Sequence, residues 1–189
     1  MTWESELEEL RQRQALAREM GGPDKIARQR AAGRLTVRER IGALLDAGSF
    51  REIGSITGNG AYDESGALQS MTPTNFLFGR GLIEGRRVVV AGDDFTVRGG
   101  ASDASIIEKQ VAAEQMAHEL RLPMIRLIEG SGGGGSVKSL EAMGYTYVPF
   151  LPGFDHMVRN LATVPVVSLG LGPIAGFGAA KVVQSHYSL

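Results

Sequence analysis

Apolar positions recur at helical spacing from the start of the chain. Trp3, Leu7, Leu10, Ala17 and Met20 lie among Glu, Arg and Gln, which predicts an amphipathic helix that stops at Gly21-Gly22-Pro23 and needs a partner for its stripe. Thr36-Val37-Arg38-Glu39 has the S/T-x-x-E capping-box form and opens a helix whose buried face is Ile41, Leu44 and Leu45, with Gly48 as its stop. Beyond these helices the period changes. "FLFGRGLIEGRRVVVAGDDFTV" contains two β-rich runs around Glu84-Gly85-Arg86, a predicted hairpin. A helix of about five turns follows, entered through Ser102 or Ser105, with Ile106, Ile107, Val111, Ala117 and Leu120 on one face. "PMIRLIE" and "VPVVSLGLG" are continuous apolar runs of strand length. Alternating strand and helix predicts an α/β fold with a mostly parallel sheet and functional loops at the carboxyl ends of its strands. The organisation expected is a helical segment over residues 1–48 and an α/β domain over 49–189.

Composition narrows the function classes. Lys+Arg 20 against Asp+Glu 21 gives a net charge of -1, so no global field attracts nucleic acid or an anionic membrane. Absence of cysteine removes disulfides, thiolate zinc sites and thiol nucleophiles. No apolar run approaches the ~20 residues of a membrane span, and the acidic start lacks a signal-like apolar region, so a cytoplasmic protein is expected. Lys25, Arg28, Arg30, Arg34, Arg38 and Arg40 form a basic cluster, read chiefly as a solvated or salt-bridged helical face, with nucleotide phosphate contact as the alternative. His118, His156 and His186 are scattered and read as surface or core histidines; no metal site is expected.

Glycine is the outlier, at 26 of 189 residues, against a usual share of about 7%. Its clusters follow three predicted strands: Arg98-Gly99-Gly100 after "DDFTV", Gly130 to Gly135 after "PMIRLIE", and "GPIAGFGAAK" after "VPVVSLGL". A flexible linker or a tight turn are the plain readings of "EGSGGGGS". Repetition at three strand ends favours backbone donors facing an anion or oxyanion at helix N-termini. The spacing from Gly133 to Lys138-Ser139 does not make a P-loop, no G-x-S-x-G elbow occurs, and the GxGxxG form in "GSGGGG" lacks its answering acidic residue.

"GRLTVRERIGALLDAGSF", "GRGLIEGRRVVVAGDDFTVRGG", "EGSGGGG" and "VPVVSLGLGPIAGFGAA", in that order, resemble the amino-terminal half of the carboxyltransferase β subunit of biotin-dependent acyl-CoA carboxylases, the propionyl- and methylcrotonyl-CoA type. The likeness covers residues 25–189. It implies a crotonase- or Clp-like ββα superhelix, here incomplete, in which two backbone oxyanion sites flank a thioester. The family's D-S-G-G-A-R falls on Glu129 to Gly134, without its arginine, and implies donors among Gly132, Gly133 and Gly134. Its G-P-x-A-G-G falls on Gly172 to Gly178, where Phe177 replaces the second glycine; the amides of Gly176 and Phe177 are the implied second oxyanion pair. The phenyl ring reads either as a narrowing of the acyl pocket or as a core residue. F-T-V-x-G-G is matched by Phe95 to Gly100, which implies acyl-CoA contact at Arg98, Gly99, Gly100 and Ala101, with Ala175 and Gly178 beside them. For Arg98 a surface ion pair is the plain reading.

The resemblance implies transfer of a carboxyl group from carboxybiotin to the α-carbon of an acyl-CoA through a thioester enolate. The alternatives are a biotin-dependent acyl-CoA decarboxylase subunit, or a non-catalytic structural subunit with a degenerate site. None of Lys25, Lys109, Lys138 and Lys181 sits in an A-M-K-M biotinyl context, so biotin is expected on a separate carrier. Expected partners are a biotin carboxylase and biotin carrier subunit and a carboxyl-terminal carboxyltransferase half, in a homo-oligomer. The chain is expected to be a fragment or one component of such an assembly, and its two oxyanion loops to face one cleft.

Overall fold

A computed structural model describes residues 3–101, 106–130, 140–141, 144 and 154–189. Three helices lead: α1 (Glu4–Arg18), α2 (Pro23–Ala31) and α3 (Val37–Leu44). The capping box on α3 is present in both directions. Thr36 Oγ1 accepts from the Glu39 amide at 3.3 Å, and the Glu39 carboxylate accepts from the Thr36 amide at 2.7 Å. The helix ends at Leu44 rather than at Gly48, because Leu45 turns extended (φ -94°, ψ 154°) and drops its side chain into the core beside Ile41. On α1 only Ala17 is buried; Trp3 stays 73% exposed, while Arg13 lies over the Tyr62 ring at 5.4 Å.

The strands are β1 (Arg51–Ile53), β2 (Gly58–Tyr62), β3 (Leu68–Pro73), β4 (Phe76–Ile83), β5 (Arg86–Asp93), β6 (Met124–Gly130), β7 (Val166–Ile174) and β8 (Tyr187–Ser188). The helices among and after them are α4 (Ile107–Leu120), α5 (Phe154–Leu161) and α6 (Phe177–Val183). β2 and β3 form a separate hairpin; the others make a six-stranded sheet in the order β1-β4-β5-β6-β7-β8. The sheet is mixed. Parallel pairing runs from β5 through β8, whereas β1, β4 and β5 are antiparallel. The β4–β5 hairpin turns at Glu84 and Gly85, both with positive φ (49° and 75°), and the Asp46 carboxylate accepts from both their amides at 2.9 and 2.8 Å.

Period-2 alternation divides the core between the faces of the sheet. Phe76, Phe78, Val89, Ala91, Met124 and Val166 pack with Ala113 and Ala117 of α4. Leu77, Val88, Val90, Ile125 and Leu127 pack on the opposite face with Val37, Ile41 and Leu45 of the α3 region. The inner face of α4 differs from the sequence expectation. Lys109, Ala113, Glu114 and Ala117 are its buried residues, and Leu120 is exposed; the two charges are accommodated because Lys109 donates to the Gly54 carbonyl and Glu114 pairs with the buried Arg126. Its N-cap is Ile106, without a side-chain cap; Ser102 and Ser105 lie outside the described residues.

Candidate functional site

β6 is buried at all seven positions although it carries Arg126 and Glu129. It ends at Gly130, where three strand ends meet. Gly130 has φ +88°, and a Cβ there would overlap the Gly99 carbonyl oxygen and press on the Gly100 Cα. The Gly130 carbonyl accepts from the Ala175 amide at 3.1 Å. The loop after β5 and the loop after β7 are therefore both in contact with the residue that opens the glycine run.

Each loop has local causes. β5 stops at Asp93, earlier than the strand expected through Val97, because the Asp94 carboxylate folds the chain by accepting from the Thr96 amide and hydroxyl at 2.9 and 2.6 Å. Arg98, Gly99 and Gly100 then form a 3₁₀ turn with φ of 50°, 63° and 66°, closed by the Gly100 amide to Val97 O and the Ala101 amide to Arg98 O. A left-handed arginine beside two left-handed glycines is uncommon for an L side chain. β7 continues through Gly172 and Pro173 to Ile174, which pairs with Gly130. Gly176 (φ 55°, ψ -125°) is the N-cap of α6, and Phe177 opens the helix with negative φ. The Gly178 amide is spent on Ala175 O at 3.2 Å, within that turn. Of the expected site residues, Gly99, Gly100 and Ala175 are thus brought against Gly130, with Arg98 and Ala101 flanking the first two in the 3₁₀ turn and Gly176, Phe177 and Gly178 following Ala175 in the chain. Gly132, Gly133 and Gly134 lie outside the described residues.

Behind this junction lies a buried ionic cluster. The Glu129 carboxylate is inaccessible to solvent, 2.6 Å from Arg40 Nη1 and 3.2 Å from Arg34 Nε, and accepts from Gln29 Nε2 at 2.8 Å. Arg40 Nη2 donates to Leu171 O at 3.0 Å, and Arg34 lies over the Phe95 ring at 5.3 Å. The Glu129 amide donates to Asp93 Oδ2 at 3.3 Å. The basic cluster is largely ion-paired: Arg30 with Glu39, Arg38 with Glu52, and Arg34 and Arg40 with Glu129.

A second cluster holds α6. Arg126 pairs with Glu114 at 2.7 Å and donates to Lys181 O and Gln184 O at the end of that helix, where a cation also complements the helix dipole. Lys181 Nζ donates to Gln110 Oε1 at 2.8 Å and sits 5.0 Å from the Phe177 ring and 5.4 Å from the Phe76 ring. Burial lowers the Lys181 pKa from the ordinary lysine range, opposed by the nearby Asp93 and Glu114 carboxylates. The phenyl ring of Phe177 is therefore seated on a buried cation one turn along its own helix. Burial likewise raises the Asp94 pKa.

The histidines take structural positions. His186 accepts from the Val166 amide at 3.0 Å through Nδ1, which leaves Nε2 to donate to Leu161 O at 2.9 Å. His118 and His156, distant in sequence, bring their ring centroids to 6.1 Å, and His118 meets Thr163 Oγ1 at 3.2 Å. No group of three metal-ligating side chains occurs among the described residues. Sequence reasoning did not single out Glu129 with Arg34 and Arg40, nor Arg126 with Glu114. The available signal was a strand reading "PMIRLIE": two charges in a run otherwise fit for full burial require buried counter-charges.

Comparison with known proteins shows the family of the chain. The carboxyl transferase domain model matches residues 28–185. The propionyl-CoA carboxylase beta chain of Roseobacter denitrificans is 34% identical over 171 residues, covering 90% of this chain and 32% of that protein. The methylmalonyl-CoA decarboxylase subunit alpha of Propionigenium modestum is 32% identical over 160 residues, covering 82% and 29%. A crystal structure of transcarboxylase 12S, described as a hexamer assembly with methylmalonyl-coenzyme A and methylmalonic acid bound, superposes with a TM-score of 0.75 at 26% identity, covering 98% of this chain and 35% of that one. The chain spans about a third of the length of the curated relatives it matches. The crotonase-like α/β fold, with its sheet incomplete, accords with these neighbours. No helix among the described residues is long and apolar enough to cross a membrane. With the matched region running from α2 through α6 and including every strand end that meets at Gly130, the chain belongs to the carboxyl transferase domain family.

Proposed function

We propose that this chain supplies the acyl-CoA-binding part of a carboxyltransferase that moves a carboxyl group between biotin and the α-carbon of an acyl-CoA. The observation that carries the reading is the junction at Gly130, where the glycine-rich ends of β5, β6 and β7 meet. Their backbone suits a thioester, whose oxygen needs donors rather than a side-chain nucleophile as its α-carbon becomes an enolate. The amides of Gly176 and Phe177, at the start of α6, and those among Gly132, Gly133 and Gly134 are assigned to the two developing negative charges. Arg98 to Ala101, with Ala175 and Gly178, are assigned to shaping the wall against which the acyl-CoA lies. Loss of one such donor elsewhere costs about 10²–10³ in rate, so main-chain geometry is enough to carry much of the chemistry.

Biotin, borne on a separate carrier, supplies the carboxyl group as carboxybiotin or receives it in its uncarboxylated form. A biotin carboxylase, a carrier subunit and a carboxyl-terminal carboxyltransferase half are the partners assigned, in an oligomer. The match to a methylmalonyl-CoA decarboxylase subunit favours one second reading: the same backbone donors serving loss of the carboxyl group from an acyl-CoA. Titration calorimetry of the chain with propionyl-CoA, free CoA and propionate tests the shared premise. Binding of propionyl-CoA above free CoA, with none for propionate, is expected; equal indifference to all three overturns it. Direction is then decided by isotope-labelled carboxyl transfer with the carrier and the complementary half present.

A further inference from the structure

We infer that Glu129 is a positioning residue, and that with Arg34 and Arg40 it forms a clamp through which the N-terminal helices set the relative placement of all three strand ends at the site. The inference deepens the proposed function and rests on it for the meaning of the site. The geometry is specific. Glu129 belongs to β6 and immediately precedes Gly130. Arg40, on α3, touches the Glu129 carboxylate at 2.6 Å and Leu171 O of β7 at 3.0 Å, so one guanidinium spans two strand ends. Arg34, between α2 and α3, touches the same carboxylate at 3.2 Å and covers Phe95 in the turn after β5. Gln29 of α2 donates a hydrogen bond to the same carboxylate at 2.8 Å.

The strand ends are fitted to the carboxylate as well. A Cβ on Gly172 would collide with Glu129 Oε1, so β7 passes over the carboxylate only as glycine. Gly21, between α1 and α2, donates to Thr96 Oγ1 at 3.0 Å and so adds a fastening from the helical arm to the β5 turn. A fully buried carboxylate is tolerated only when paired and hydrogen-bonded, and its two cations are themselves buried or half-buried. Because these partners come from different elements, a shift of any one strand end breaks a contact made by the buried carboxylate or by one of the two guanidiniums paired with it. Rigid support of this kind is what holds a backbone donor array at productive distance.

The test uses the full chain and follows hydrogen exchange at Gly100, Ala101 and Ala175, whose amides close the 3₁₀ turn and bond Gly130. Propionyl-CoA affinity is measured alongside. Glu129→Gln keeps shape and removes the charge; exchange at all three amides is expected to rise together by about tenfold or more, as local opening costs less. Affinity should fall by a similar factor, and Glu129→Asp should restore part of both. Arg38→Met, which breaks the Arg38–Glu52 pair on the same helix, is the control and should leave the three amides protected at matched overall stability. Should Glu129→Gln fail to fold, Arg34→Met gives the same readout, with Gly100 and Ala101 loosened more than Ala175. Unchanged exchange in folded Glu129→Gln, or equal loosening in the Arg38→Met control, overturns the clamp. A wild-type chain that shows no propionyl-CoA binding refutes the proposed function instead, and the exchange comparison still decides the clamp.

Discussion

The Gly130 carbonyl accepts a hydrogen bond from the Ala175 amide at 3.1 Å, joining the end of β6 to the loop that follows β7. On its other side the Gly130 Cα lies against the Gly99 carbonyl. One residue is therefore the meeting point of three loops that sequence separates widely.

Gly130→Ala is expected to destabilise the chain by about 2–5 kcal/mol, summing roughly 1–2 for a left-handed L residue and 1–3 for overpacking. Gly85→Ala is the reference. It shares a positive φ of 75° but faces open space, so only the backbone cost of about 1–2 kcal/mol applies. Urea unfolding of both variants checks the difference, and equal losses would remove the steric argument.

The capping box gives an acid-sensitive contribution. Hydrogen bonds from the Thr36 amide and hydroxyl, with Arg30 alongside, lower the Glu39 pKa from 4.5 to about 2. Stability from this carboxylate is complete above pH 4.5 and is lost as pH falls through about 2. Thr36→Ala should cost about 1 kcal/mol at neutral pH and flatten that acid limb, read by chemical denaturation at stepped pH.

Lys109 acts in the opposite pH range. Burial lowers its pKa from 10.5 to about 8, while its ammonium donates to Gly54 O at 2.9 Å. Between these values the unfolded chain holds the proton and the folded chain has released it, so stability rises with pH across the window. Lys109→Met should remove this rise. Lys181, lowered in the same direction, remains in both proteins and cancels in the comparison.

Arg126→Met is expected to cost about 3–5 kcal/mol, because Glu114 is left as a buried charge with Asn160 Nδ2 as its remaining side-chain donor among the described residues. Pairing it with Glu114→Leu should recover part of the loss, since no orphaned carboxylate remains. Calorimetric unfolding of the single and double variants measures the recovery; a double variant no better than the single would contradict it.

Much of the local structure was legible because it depends on neighbours in sequence. The Thr36–Glu39 box, the Glu84-Gly85 turn, the strands "PMIRLIE" and "VPVVSLGLG" and the glycine runs at their ends all follow from short-range hydrogen bonding, φ preference and hydrophobic period. The order of family-like blocks likewise pointed to a carboxyltransferase, which the match over residues 28–185 supports. Partnership was not legible in the same way. That Gly48 is no helix stop, that β1 joins β4 antiparallel, and that α4 buries Lys109 and Glu114 depend on which surfaces meet. The cationic run from Lys25 to Arg40 looked like a charged face from spacing alone. Only the tertiary structure divided it, sending Arg34 and Arg40 inward to Glu129, because a buried charge selects its partner by distance in space, and spacing along the chain carries no record of that distance.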